Sequence, residues 1–91
     1  MFYEKLDALH QSGVDGNTKA VLSIGYFAKI CEEHKEYSGF LQDMFEKNKY
    51  KHINEAVEKL NYNYPTGIVL ECQQQADELW ELFLEEHIDI L

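Results

Sequence analysis

The stretch TGIVLECQQQADELWELFLEEHI, residues 66–88, carries the strongest helical pattern in the chain. Its apolar side chains recur every three or four residues, as on one side of an α-helix, and they are Val69, Cys72, Ala76, Leu79, Trp80 and Phe83. Pro65 disfavours helix at Tyr64, and Thr66 is placed to cap a helix that starts after it. The opening GIVL would also suit a strand, but it is too short to compete with the helical spacing after it. The stretch therefore predicts a final helix over about residues 66–88.

Earlier segments repeat the helical spacing in shorter runs. Helices are predicted over residues 2–11, from an Asn17 cap to about Glu36, from a Ser38 cap to about Asn48, and over about 52–61. Turn-forming residues, SGVDGN (12–17) and YSGF (37–40), separate the first three, and the basic KNKYKH (47–52) connects the third to the fourth. We expect an all-α protein: a compact bundle of four to five helices in a single domain, residues 1–91, with antiparallel neighbours where connections are short.

The charge of the chain is strongly negative. Seventeen acids against eight lysines, with no arginine, give a net charge of −9. Such a surface repels a phosphate backbone and an anionic bilayer, so direct binding to nucleic acid or membrane is not expected. No apolar run is long enough to cross a bilayer and no secretory signal is visible, which predicts a soluble, cytoplasmic protein.

No motif for catalysis or metal binding is present. Cys31 and Cys72 both fall on apolar helical faces, which predicts two reduced core residues, although a disulfide between two helices stays open. The four histidines form none of the spaced pairs used by zinc or di-iron sites, and no serine lies in a nucleophile motif. We expect a non-enzymatic protein with no cofactor and no metal.

The acids of the final helix are unusual because no lysine follows Glu71. A solvent-exposed helix face would explain why these acids share one side of the helix. It would not explain why like charges stand four residues apart at Asp77, Glu81 and Glu85, where their repulsion lowers the stability of the helix by a few tenths of a kcal/mol per pair. A few apolar residues rimmed by one charge are typical of a binding patch. The sequence therefore predicts a partner-binding surface, with plain solvent-exposed surface as the alternative; its residues are Tyr62, Tyr64, Glu71, Glu78, Glu81, Leu82, Glu85 and Asp89.

The segment NYNYP, residues 61–65, adds two tyrosines immediately before the acidic helix. Tyrosine is favoured at interfaces because its large ring is ordered at low entropic cost and its hydroxyl tolerates water. We predict that one ring is buried and the other is available to a partner, with Tyr64 favoured for contact.

The segment PTGIV, residues 65–69, resembles the Pro-Ser-Gly-Ile-Val that opens the last helix in immunity proteins of the DNase colicins. The resemblance covers five residues. The Tyr-Tyr-Pro toxin-contacting helix of that family is absent, and YNYP (62–65) is a loose analogue of it, so no functional residue is carried over. The resemblance implies a small acidic bacterial toxin-immunity protein.

These observations favour an inhibitor or immunity-type protein that neutralises a basic protein partner, for example a nuclease toxin, through the acidic helical face. Two alternatives stay open. One is a helical adaptor or dimerisation module whose charge serves only solubility, and the other is a phage-encoded mimic of nucleic acid. The sequence leaves open whether the chain is a monomer or a homodimer.

Overall fold

Four α-helices and one short 3₁₀ turn form the described part of the chain. The structure is a computed structural model that describes residues 1–37, Gly39, Asp43 and 53–86. The elements are α1 (Phe2–Val14), α2 (Thr18–Glu33), the 3₁₀ turn (Lys35–Tyr37), α3 (Ile53–Lys59) and α4 (Thr66–Glu86), with no strand among these residues. The all-α prediction is confirmed: the described elements make one compact helical globule.

The first two helices meet at a tight turn. α1 runs three residues beyond the predicted end at residue 11, and the chain reverses at Asp15 and Gly16, where the φ of Gly16 is 103°, a region that favours glycine. Asn17 then caps α2 as predicted, because its side chain accepts a hydrogen bond from the amide of Ala20.

The end of α2 and the start of α4 differ from the sequence prediction. α2 ends at Glu33 rather than Glu36, because the amide of His34 bonds to the carbonyl of Cys31 and the chain tightens into the 3₁₀ turn. Thr66, predicted as a cap, is instead the first helical residue of α4, and the carbonyl of Pro65 accepts from the amides of Ile68 and Val69. The predicted helix over 38–48 lies outside the described residues except at Gly39 and Asp43, and both of these are helical. Residues 47–52 and 87–88 also lie outside.

Helix α2 occupies the centre of the fold. It packs against α1, α3 and α4, and residues on several of its sides are buried, including Leu22, Ser23 and Gly25 in addition to the predicted face. α1 is antiparallel to α2, as the short connection predicts. α4 is parallel to α2, because Lys19 meets Glu71 and Ser23 meets Gln75 along the two helices.

Two glycines bring neighbouring helices close to α2. A Cβ at Gly25 would lie 2.7 Å from the carbonyl oxygen of Ala56 on α3, closer than real Cβ atoms come. A Cβ at Gly13 on α1 would lie 3.0 Å from a methyl carbon of Val21. Glycine at these positions allows the backbones of α1 and α3 to approach α2.

The core is built largely from aromatic rings. Phe2, Phe27 and Phe83 are fully buried, and Tyr37 from the 3₁₀ turn packs edge-on against Trp80 and Phe83. Burying a phenylalanine side chain contributes about 1.5–3 kcal/mol, so these rings supply much of the stability. The predicted stripe of α4 is confirmed, since Cys72, Ala76, Leu79 and Phe83 are buried; the place of Tyr37 in the core was not predicted.

Both cysteines are free and buried, as predicted. Burial raises the pKa of the Cys31 thiol to about 12. The Sγ of Cys72 is fully enclosed and lies 3.4 Å from the carbonyl oxygen of Lys19. Neither thiol is placed to act as a nucleophile.

Candidate functional site

The acids on one flank of α4 are held by positive groups of other helices. The Nζ of Lys19 on α2 lies 3.1 Å from Glu71, and the Nζ of Lys5 on α1 lies 2.9 Å from Glu78. Glu86 accepts from the amino group of Met1 at 2.7 Å and from the amide of Phe2 at 2.9 Å. The segment after Glu71 has no lysine of its own, but the fold supplies lysines that the sequence pattern did not reveal. Glu71 and Glu78, predicted as partner-binding residues, thus form ion pairs within the fold while about half of each side chain stays exposed.

The acids on the outward side of α4 are exposed and lack such ion pairs among the described residues. Asp77, Glu81 and Glu85 lie on successive turns, four residues apart, and all three are exposed. None of them forms an ion pair with any residue that the structure describes. Glu81 and Glu85 belong to the predicted surface, Asp77 was not included in it, and Asp89 lies outside the described residues.

The apolar group on this side of α4 is Leu70 rather than Leu82. Leu70 is 59% exposed and lies seven residues before Asp77, on the same side of the helix. Leu82, the predicted anchor, is half-buried and packs against the core. We call Leu70, Asp77, Glu81 and Glu85 together the outer stripe of α4.

The two tyrosines before α4 differ in exposure. Tyr62 is 68% exposed, whereas Tyr64 is half-buried. The prediction favoured Tyr64 for contact, but the structure leaves more of the Tyr62 ring accessible. The pattern NYNY gave no signal that could distinguish them, because the difference depends on how the turn packs before α4.

A stacked pair of rings lies beside the outer stripe. The ring of His34, which ends α2, stacks on Trp80 with centroids 4.4 Å apart and an interplanar angle of 25°. The Nδ1 of His34 is also 3.6 Å from a carboxylate oxygen of Glu36. This contact joins the end of α2 to the middle of α4, one turn from Asp77 and next to Glu81.

The described residues also define what the site does not contain. Among residues 1–37, 39, 43 and 53–86, no group of three or more His, Cys, Asp and Glu side chains converges as metal ligands would. Across the same ranges, no helix combines the length and apolar character needed to span a bilayer.

Comparison with protein-family models, curated proteins and solved structures finds no match to this chain.

Proposed function

We propose that this chain is a non-enzymatic inhibitor of the immunity type, which binds a basic protein partner through the outer stripe of α4 and neutralises it. One observation carries the proposal. The acids of α4 divide into a flank paired with lysines of the fold and a stripe with no such partner among the described residues, and the stripe also exposes Leu70.

The stripe costs the free protein some stability. Asp77, Glu81 and Glu85 repel one another at four-residue spacing, by a few tenths of a kcal/mol per pair. A cationic partner surface would relieve this penalty, which supports a binding role.

The stripe combines the two kinds of contact that a protein interface needs. Its carboxylates would steer a basic surface towards the helix and raise the association rate. Leu70 and the exposed ring of Tyr62 offer apolar and aromatic contact area that would slow dissociation. In this proposal the carboxylates set the association rate, and Leu70 and Tyr62 set the dissociation rate.

A nuclease is the partner class that fits this surface best. A protein that grips nucleic acid presents a cationic groove for phosphates, and an acidic helix is complementary to such a groove. The net charge of −9 disfavours the reverse role, in which this chain would itself bind the phosphates. Occupying the groove would block the partner without any chemistry in this chain.

The decisive experiment measures association with the purified partner. The product of an adjacent gene that is toxic when expressed alone is the first partner to test. For the wild-type chain, we expect the association rate constant to fall at least about tenfold between low salt and roughly 0.5 M salt, because screening removes the steering. A rate that does not respond to salt would overturn the proposal.

A pair of charge-reversal variants locates the surface. We expect the double variant Glu81→Lys/Glu85→Lys to associate at least about tenfold more slowly than wild type and to lose protection of cells from the toxin. The control is Glu58→Lys on α3, an exposed acid away from α4, combined with Glu4→Lys on α1 to match the change in net charge. Equal effects of the two double variants would show that only net charge matters and would contradict the assignment to α4.

A further inference from the structure

A cleft separates α1 from α3 on the surface of α2. Its floor is formed by Val21 and Ile24, one wall by Val14 and the other by Ala56, and its volume is about 200 Å³. On either side of it, Gly13 lets α1 and Gly25 lets α3 approach α2 closely. α4 contributes no residue to the lining, so the cleft is separate from the outer stripe.

The cleft has the size and character of a site for a small apolar group. Its apolar part is formed by Val14, Val21, Ile24 and Ala56, and Val14 is 52% exposed although it is a large apolar side chain at the end of α1. An engineered protein cavity of about 150 Å³ lined by apolar side chains binds benzene. A single ring or a short branched chain would therefore fit and would displace water from apolar surface.

A lysine at the mouth of the cleft favours a ligand that carries a negative group beside its apolar part. Lys59 lines the cleft from α3 and forms no ion pair with a described residue, in contrast to Lys5 and Lys19. A carboxylate held over the apolar floor could accept a charge-assisted hydrogen bond from its ammonium group. Glu55 and His10 also line the cleft, and the carboxylate of Glu55 adds a requirement that the ligand's negative group lie on the Lys59 side.

We propose that the cleft between α1, α2 and α3 binds a small monocarboxylate with a compact apolar body, whose ring or branched chain rests on Val21, Ile24 and Ala56 and whose carboxylate pairs with Lys59. This site does not depend on the proposed inhibitor function, because none of its residues belongs to the outer stripe.

The test is a titration of the ¹⁵N-labelled full chain with phenylacetate, followed by amide chemical shifts. We expect saturable shifts at Val14, Val21 and Ala56 with no change along the outer stripe of α4. 2-Phenylethanol and 2-phenylethylamine, which keep the ring and replace the carboxylate, should bind at least about threefold more weakly, because neither can accept the charge-assisted bond as an anion. No saturable shift at the cleft, or equal binding of the three compounds, would overturn the proposal.

Two matched variants test whether the positive charge of Lys59, rather than the loss of any lysine, determines ligand binding. Lys59→Gln should weaken phenylacetate binding at least about threefold, whereas Lys29→Gln, an exposed lysine of α2 outside the cleft, should leave it unchanged. Both substitutions are at exposed positions and should leave the amide spectrum of the free protein intact away from the changed residue. Equal affinity in the two variants would show that Lys59 does not hold the carboxylate and would also overturn the proposal.

Discussion

The two sides of α4 differ in what they contribute to the molecule. The inner side supplies Cys72, Ala76, Leu79 and Phe83 to the core, and its flank is tied to α1 and α2 by Lys5 and Lys19. The outer stripe supplies no buried side chain and no ion pair among the described residues. Substitutions on the inner side of α4 should therefore change the stability of the protein, whereas substitutions on the outer stripe should change its binding to a partner.

The largest expected contrast is between two leucines of this helix. Leu79→Ala removes a fully buried side chain and should lower the free energy of unfolding by about 3 kcal/mol, because it leaves a cavity in a packed core. Leu70→Ala, at a position that is 59% exposed, should change it by less than about 0.5 kcal/mol. Urea unfolding followed by circular dichroism measures both. A similar loss in the two variants would show that the outer stripe is part of the core.

The next effect concerns alkaline pH and the buried Cys31. Because burial raises the pKa of this thiol from 9.0 to about 12, the folded state keeps the proton that the unfolded state loses. Its contribution to stability is complete below pH 9 and is lost progressively as the pH rises from 9 towards 12, by at most about 1.4 kcal/mol per pH unit.

The variant Cys31→Ala isolates that contribution from other groups that titrate at high pH. Between about pH 9 and about pH 11, its free energy of unfolding should fall less steeply than that of the wild type. A denaturant series at each pH gives the two slopes. Equal slopes would mean that the Cys31 thiol ionises in the folded protein as readily as in the unfolded chain.

The smallest contrast compares two glutamates on the two sides. Glu78→Gln breaks the ion pair with Lys5 and should cost up to about 0.5 kcal/mol, typical of an exposed pair. Glu81→Gln should instead stabilise by a few tenths of a kcal/mol, because it removes repulsion from Asp77 and Glu85. The opposite signs are the result to look for in parallel unfolding curves, and a loss in both variants would mean that Glu81 has a partner in the fold.

Periodicity predicted the helices well because burial on one side leaves a direct record in the sequence. The apolar stripe of α4, the Asn17 cap, and the spacing of three and four residues from Ile53 to Ala56 and Val57 in α3 all follow from the order of the residues. The burial of Tyr37 does not, because this residue follows a helix end and reaches the core through a 3₁₀ turn that carries no periodic signal.

The candidate site was predicted only in part, for a similar reason. Which acids lie on the outer side of α4 follows from helical spacing, and Glu81 and Glu85 were identified in that way. Which acids are neutralised depends on pairing between helices far apart in sequence, as for Lys19 with Glu71, separated by 52 positions. The exposures of leucines and tyrosines along and before α4 likewise depend on packing that a single helix does not encode.

The parallel pairing of α2 with α4 has a consequence for how this architecture can vary. Since both helices run in the same direction, residues 34–65 must carry the chain back past the start of α2 before α4 begins. The entropy lost on closing such a return grows only with the logarithm of its length, about 0.6 kcal/mol for a doubling. Insertions are therefore cheap at the exposed positions 61–63 between α3 and α4, but not at Tyr37 or Ala56, which are buried in the core.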